Sequence, residues 1–506
     1  MEAGSKSKRM KQEEVGEDRI SALPNDILHQ ILSCLPIKSI AQTSLLSKRW
    51  RSLWHTFPDL DFTTVESLTR YADRRGPRFA SKTVDDVAGI KRLLLARKEE
   101  EDSGLRLFRL RTVLSFARLR RLIECAVALD VQELDIDVNT SNYFDFPDAV
   151  LGDKRLMSLR LKSGYREIKM PSAEVIQQAF QSLTVLSLTR GDFRDEPSAA
   201  ANIFTDPFFP SLKRLALEFC FGIKHLRVQL KNLLDLTVLY LRSLVKMELN
   251  SRKLEKLIVK SSFANTTERP QVLLSSPSLR RIVWSHNTVV ENWNFFDSLT
   301  SLEEVFLCDG FTSDKLKLKS FIAGISHCRS LSVDKTFIYA IPTYKPFNRL
   351  TSLSMEICYG PTTASAEALA YFLRSSPSIE TLVLRSCGTW SSEDSWNWDL
   401  ASVGPCLNHL RILTVYGFAG AAHDSDFVRF VLKNAAVLET VHLHSKRRDE
   451  KVRNEVRGYP RASPKCAVRL YSPENPTAVF LRDVAKGLLK INDTLEKIME
   501  KAKSLE

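Results

Sequence analysis

One spacing governs what this chain can fold into. The pattern L-x-x-L-x-L, with other aliphatic residues allowed, recurs thirteen times between residues 131 and 443, with starts 21 to 31 residues apart. It opens at Val131–Leu134–Ile136 and runs through Leu212–Leu215–Leu217 and Leu302–Val305–Leu307 to Leu438–Val441–Leu443. The last two apolar residues of each unit are two apart, as on one face of a short strand. The first reaches inward from the approaching turn. No unit of this size encloses its own apolar face, so neighbours must stack into a continuous core. A chain of 506 residues would otherwise suggest roughly three domains at ~150 residues each. Stacked repeats grow by length instead, without starting new cores.

A second signal sharpens the pattern. Asn139, Cys220, Asn287, Cys358 and Cys387 each fall eight residues after the first apolar residue of a unit. Asn or Cys at that slot resembles the leucine-rich repeat, where it forms a buried ladder along the stack. These five positions are therefore expected to be structural. Between 212 and 259 two extra copies, Ile223–Leu226–Val228 and Leu244–Met247–Leu249, cut the spacing to 10 or 11 residues. That is too short for a strand, two turns and a helix. Both sides of each coil are expected to be extended there, with strands at 212, 233 and 254 on one face. Elsewhere Ser172–Phe180, Ala364–Leu373 and Asp424–Lys433 show helical apolar spacing. The expected product is an irregular curved solenoid of α/β class, with a parallel concave sheet and mixed helix and loop outside.

Composition excludes several function classes. The net charge of +13 is almost all local: residues 105–121 carry six arginines and no acid, and residues 446–469 carry nine basic residues against three acids. Residues 105–110 read as a strand followed by a helix whose Phe116, Leu119 and Ile123 share a face, with Arg118 and Arg121 pointing away. That is a solvated face rather than a nucleic-acid groove, which would interleave basic residues with aromatics. The nine cysteines are scattered without a C-x-x-C pair, which fits reduced intracellular thiols. No run of eighteen apolar residues spans a membrane, and the polar first twenty residues lack a secretory core. Glycine-loop, H-E-x-x-H and G-x-S-x-G motifs are all absent, so neither an enzyme nor a cofactor is expected. His442 and His444 share a strand face, but no third metal ligand stands near them in sequence.

Residues 18–62 form a different kind of unit. Pro24 suits the first turn of a helix, and Ile27, Ile31 and Leu35 recur at four-residue spacing until Pro36 stops it. Ile37–Thr43 suits a short second helix. Ser47 suits the cap of a third, on which Trp50, Leu53 and Trp54 share a face. Three such helices have little core of their own and leave large apolar side chains for a partner. Leu23-Pro24 with Asp26, Ile31-Leu32…Leu35-Pro36, and Ser47-Lys48-Arg49-Trp50 with Trp54 together resemble an F-box of the large plant families. Ile37-Lys38-Ser39-Ile40 departs from the usual charged start of the second helix. Asn408–Val415, Gly417-Phe418 and Asp426–Leu443 are similar to the FBD module of plant F-box/leucine-rich-repeat proteins.

The resemblance implies the substrate-recognition subunit of a Skp–cullin–F-box ubiquitin ligase, non-catalytic itself. The Skp-type adaptor, and through it cullin and RING subunits, would dock on Leu23, Pro24, Ile27, Ile31, Leu35, Leu45 and Trp50. The solenoid would hold an unknown target protein, with a small-molecule co-ligand left open but unsupported and no nucleic acid or membrane called for. The alternative is a leucine-rich ligand sensor or scaffold without ubiquitin transfer. Trp390, Trp396 and Trp398, in a polar acidic stretch, either cover the solenoid edge or anchor the target. The expected organisation is a disordered tail 1–17, F-box 18–62, connector and cap 63–130, repeats 131–445 with an FBD-like part from about 400, a basic segment 446–475, and a helix 476–506. In that helix Leu481, Val484, Leu488, Ile491, Leu495 and Ile498 follow 3-4 spacing and are expected to cap the last coil of a monomer. The expected location is nucleus or cytoplasm.

Overall fold

The computed structural model describes residues 20, 23–70, 84–99, 104–140, 144–195, 202–241, 243–263, 270–287, 292–295, 299–308, 322, 324–334, 347–357, 363–386, 404–418, 420, 422–445 and 450–471. The chain divides into two compact units, residues 1–169 and 170–506.

The first unit opens with three helices, α1 (Asn25–Ser33), α2 (Ile37–Thr43) and α3 (Lys48–Thr56). Pro24 stands at the N-cap of α1, just outside the first turn, and its carbonyl accepts from the Leu28 N–H at 3.1 Å. Pro36 plays the same part for α2. Ser47 caps α3, its hydroxyl accepting from the Trp50 N–H at 3.3 Å. Arg49 on α3 reaches back to the start of α1, donating to Asn25 Oδ1 at 2.8 Å and to the Leu23 carbonyl. Leu28, Leu32, Ile37, Ile40 and Leu53 fill the small space between the helices.

Four parallel strands follow in sequence order: Asp59–Asp61, Leu107–Leu114, Glu133–Thr140 and Ser158–Ser163. Sheet structure therefore begins well before residue 131, within the stretch assigned above to the helical unit and the connector. The reason is visible in the residues: Phe57–Leu60–Phe62 and Leu105–Phe108–Leu110 obey the repeat spacing once phenylalanine is admitted, and all six are buried. The last turn of helix Val84–Lys98 carries Arg97, which is fully buried. Its guanidinium donates to the carbonyls of Phe57 at 2.7 Å and Trp54 at 2.6 Å and lies 5.6 Å from the centre of the Trp54 ring. One side chain thus satisfies carbonyls at and just beyond the C-terminus of α3, where the helix dipole favours a cation.

In the second unit twelve described strands run parallel in sequence order, from Val185–Thr189 through Arg214–Glu218, Asp235–Leu239 and Lys256–Lys260 to Thr440–Ser445 and Ala467–Tyr471. Their register keeps Leu215, Leu236, Leu257, Ile282 and Val305 opposite one another, all buried. The closely spaced copies behave as expected. Strands His225–Val228, Lys246–Asn250, Gln271–Ser275 and Asn292–Phe295 form a second parallel sheet, so both sides of those coils are extended. Helices Ala173–Ala179, Thr363–Ser375 and Ala422–Asn434 stand where helical spacing was found. Beyond residue 445 the basic segment is not merely a linker: it holds helix Glu450–Arg457 and a further sheet strand, Ala467–Tyr471. The tail 1–17 and the helix expected over 476–506 lie outside the described residues.

Candidate functional site

The three-helix unit leaves an apolar surface uncovered. Ile27 and Ile31 are one turn apart on α1 and are 39% and 44% exposed; Leu35, just past its end, is 40% exposed. Leu45, in the turn before Ser47, is 81% exposed. Pro24 is exposed, and Leu23 and Trp50 are half-buried. All seven residues expected to dock an adaptor therefore keep some accessible surface. Their neighbours Leu28, Leu32 and Leu53 face inward. Ile20 and Leu46, at 56% and 69% exposure, belong to the same stretch and were not singled out from the sequence. Leu46 directly follows Leu45, and two adjacent leucines in a turn were the signal. Uncovered large apolar residues in one short stretch mark an association surface.

Of the repeat-ladder residues, Asn139, Cys220 and Asn287 are buried, while Cys358 and Cys387 lie outside the described residues. Asn287 Oδ1 accepts from the Ser262 N–H at 2.8 Å, and its Nδ2 donates to the Val259 carbonyl at 3.1 Å. Ser262 in turn accepts from the Leu241 N–H at 3.3 Å. Cys220 Sγ lies 3.6 Å from the Leu188 carbonyl. The residues before Cys220, Ser262 and Asn287, namely Phe219, Ser261 and His286, have φ near +50°, and Tyr240 before Leu241 is at 59°. This left-handed step ends the strand and swings the next side chain inward. Asn139 is packed against Gly164, where an added Cβ would fall 1.8 Å from Asn139 Oδ1, so any larger residue there would force the Asn139 amide to shift.

The arginines of 105–121 are not a free cationic patch. Arg109 donates to Asp61 at 2.9 Å and to Asp135 at 3.0 Å, each on an adjacent strand. Arg106 pairs with Asp59, and Arg111 lies 3.5 Å from Asp137, which Lys162 also approaches at 3.3 Å. Burial works to lower the Arg109 pKa, but the two carboxylates outweigh it and hold the guanidinium charged. Arg118 and Arg121 do point to solvent.

Burial pushes the thiols of Cys220 and Cys328 up to about 12, so both stay protonated and are unsuited to nucleophilic attack. Among the described residues no group of three His, Cys, Asp or Glu is placed to hold a metal ion. No helix among them is long and apolar enough to cross a membrane. His442 and His444 are engaged with rings instead: His442 Nδ1 is 3.0 Å from the Tyr471 hydroxyl, and His444 stacks between Tyr416 and Tyr471. Trp390, Trp396 and Trp398 lie outside the described residues.

The F-box domain family matches residues 20–61, and the FBD family matches residues 401–443. A putative F-box/FBD/LRR-repeat protein of Arabidopsis thaliana is 30% identical over 489 residues, covering 90% of this chain and 95% of that protein. The chain belongs to the F-box/FBD/LRR-repeat proteins. An F-box/FBD/LRR-repeat protein and an FBD-associated F-box protein of the same plant are 26% and 25% identical, covering 84% and 85% of this chain and 91% and 93% of their own lengths. In this F-box/FBD/LRR-repeat chain the F-box match coincides with α1–α3 and runs into the first strand. The FBD match takes in the short 3-10 helix Gly404–Leu407, strand Ile412–Phe418, helix Ala422–Asn434 and most of strand Thr440–Ser445. The FBD is thus built from two successive coils of the same sheet.

Proposed function

We propose that this chain is the substrate-recognition subunit of a Skp–cullin–F-box ubiquitin ligase. Its F-box docks on the Skp-type adaptor, and its repeats hold a target protein for ubiquitination by other subunits. The observation that carries this reading is the division of labour within α1–α3: Leu28, Leu32 and Leu53 make the helical core, while Ile27, Ile31, Leu35 and Leu45 remain uncovered. Burying such side chains against an adaptor contributes roughly 1.5–3 kcal/mol each at full burial. The mechanism needs no chemistry from this chain. Holding a target lysine near a charged carrier enzyme raises its effective concentration, which converts a bimolecular encounter into an intramolecular one.

The exposed positions make the test specific. Ile31→Asp combined with Leu45→Asp leaves the helical core intact and is expected to abolish co-purification with a Skp-type adaptor, with unfolding by urea unchanged. A folded wild-type chain that captures no adaptor would leave only the scaffold reading.

A further inference from the structure

The last strands of the second unit carry a row of rings across their outward side. Arg385, Tyr416, His444 and Tyr471 are opposite one another in register on four successive strands. The Arg385 guanidinium lies 4.8 Å from the Tyr416 ring centre. Tyr416 and His444 stack at 4.4 Å and 19°, and His444 and Tyr471 at 4.6 Å and 11°. These separations are close to the spacing of adjacent strands, so the sheet itself sets the stack. Beside the row, His442 is paired in register with Arg469, which is exposed.

Two features define what this surface fits. First, rings stacked on each other show their edges, and ring edges are the positive part of the aromatic quadrupole. Tyrosine hydroxyls and imidazole N–H groups add donors along the same line. Second, the outward positions of the last three strands, Ile412, Thr414, Tyr416, Thr440, His442, His444, Ala467, Arg469 and Tyr471, include no acid. The neighbouring acid in register, Glu356, stands opposite Arg385 at the far end of the row. The surface is therefore complementary to carboxylates. It does not suit bases, because nucleic-acid platforms need open ring faces and most of these faces are taken.

We propose that this row is the docking site for an acidic, extended peptide segment of the target protein. The inference deepens the reading of the repeats as a target receptor and rests on it. An extended peptide turns every second side chain the same way, at about 6.6–6.8 Å intervals. Alternate acidic residues can thus meet the ring edges and Arg469 in turn.

The test uses the full chain and fluorescence anisotropy with three labelled probes: a peptide of alternating Glu and Ser, the same peptide with Gln for Glu, and polyuridine RNA. Binding of the Glu peptide alone is expected. Arg469→Glu, and Tyr416→Ala with His444→Ala, should each weaken it about tenfold or more. Arg118→Glu makes the same charge change on an exposed helix of the other unit and should leave it unaltered. No binding of the Glu peptide, equal binding of the Gln peptide, tighter binding of RNA, or equal loss with Arg118→Glu would each overturn the proposal. Adaptor capture is measured on the same proteins. Capture without peptide binding rejects this site alone, whereas peptide binding without capture rejects the ligase reading and keeps the site.

Discussion

The parallel repeat strands of the two units use their cations in opposite ways. In the first unit Arg106, Arg109 and Arg111 face acids from the strands beside them, with Arg109 held between Asp61 and Asp135. In the last strands of the second unit Arg385 and Arg469 accompany a row of rings, and the final three strands offer no outward acid. The inward residues of the two stretches are alike, so the core does not set this difference. The outward residues do. Local net charge in the sequence is +6 both over 105–121 and over 446–469, yet Arg106, Arg109 and Arg111 each face an acid of a neighbouring strand, whereas Arg469 stands opposite His442. A charge run in a repeat protein is thus a statement about the neighbouring coils as much as about itself.

If cations of the first unit serve the fold, their removal should cost stability. The largest effect is expected at Arg97, whose buried guanidinium satisfies two carbonyls at the end of α3. Arg97→Met removes the side-chain donor to the Phe57 carbonyl and leaves the Trp54 carbonyl only its 3.4 Å bond from the Phe57 N–H, and should cost about 2 kcal/mol, read as a lower urea midpoint for the first unit. It should also weaken adaptor capture, since α3 loses its anchor. A midpoint unchanged from wild type would remove Arg97 from this role. Asp135→Asn should cost less, about 0.5–1 kcal/mol, because the Arg109 pair is partly exposed and solvent screens it. That cost should shrink in high salt, and an effect indifferent to salt would mean that packing, not charge, is lost. For the last strands the opposite is expected. Arg469→Gln should leave the urea midpoint within about 0.5 kcal/mol of wild type while weakening the Glu peptide, and a clear loss of stability would erase the contrast.

Much of this was legible in the residues, for a physical reason. Core positions obey a period, so Leu215, Leu236 and Leu257 could be placed by spacing, and so could the doubled coils between 212 and 259. The F-box was legible because its prolines, its cap Ser47 and its apolar stripe occur together. What escaped depends on which strand lies beside which. Nothing in the sequence relates Arg109 to Asp61, 48 residues away, or to Asp135, 26 residues away, until the strands are in register. Tyr416, His444 and Tyr471 are hidden for the same reason, since the repeats vary in length. The strand of Tyr471 was missed because Lys465 occupies the slot where an apolar residue should open the unit. Arg97 gave no signal, being one of several basic residues at a helix end.

The smallest expected effect tests the row through a proton. Burial, and then the charge of Arg469, hold the His442 pKa below its ordinary value of about 6.5. The groups around it are Arg469 and Tyr471 on the following strand and His444 on its own, with Tyr416 stacked on His444. In the unfolded chain the imidazole takes up its proton at a higher pH than in the folded one. Folding therefore gains stability from neutral His442 above the unfolded value and loses it as pH falls from there through the folded pKa. Arg469→Gln removes the second cause but not the first, so the His442 pKa should rise part of the way back. An NMR titration of the histidine ring protons in wild type and variant measures both. A wild-type value at or above the ordinary one would mean that His442 is neither shielded by the row nor sensing Arg469. The proposed site would then lose its evidence that Arg469 acts on the rings beside it.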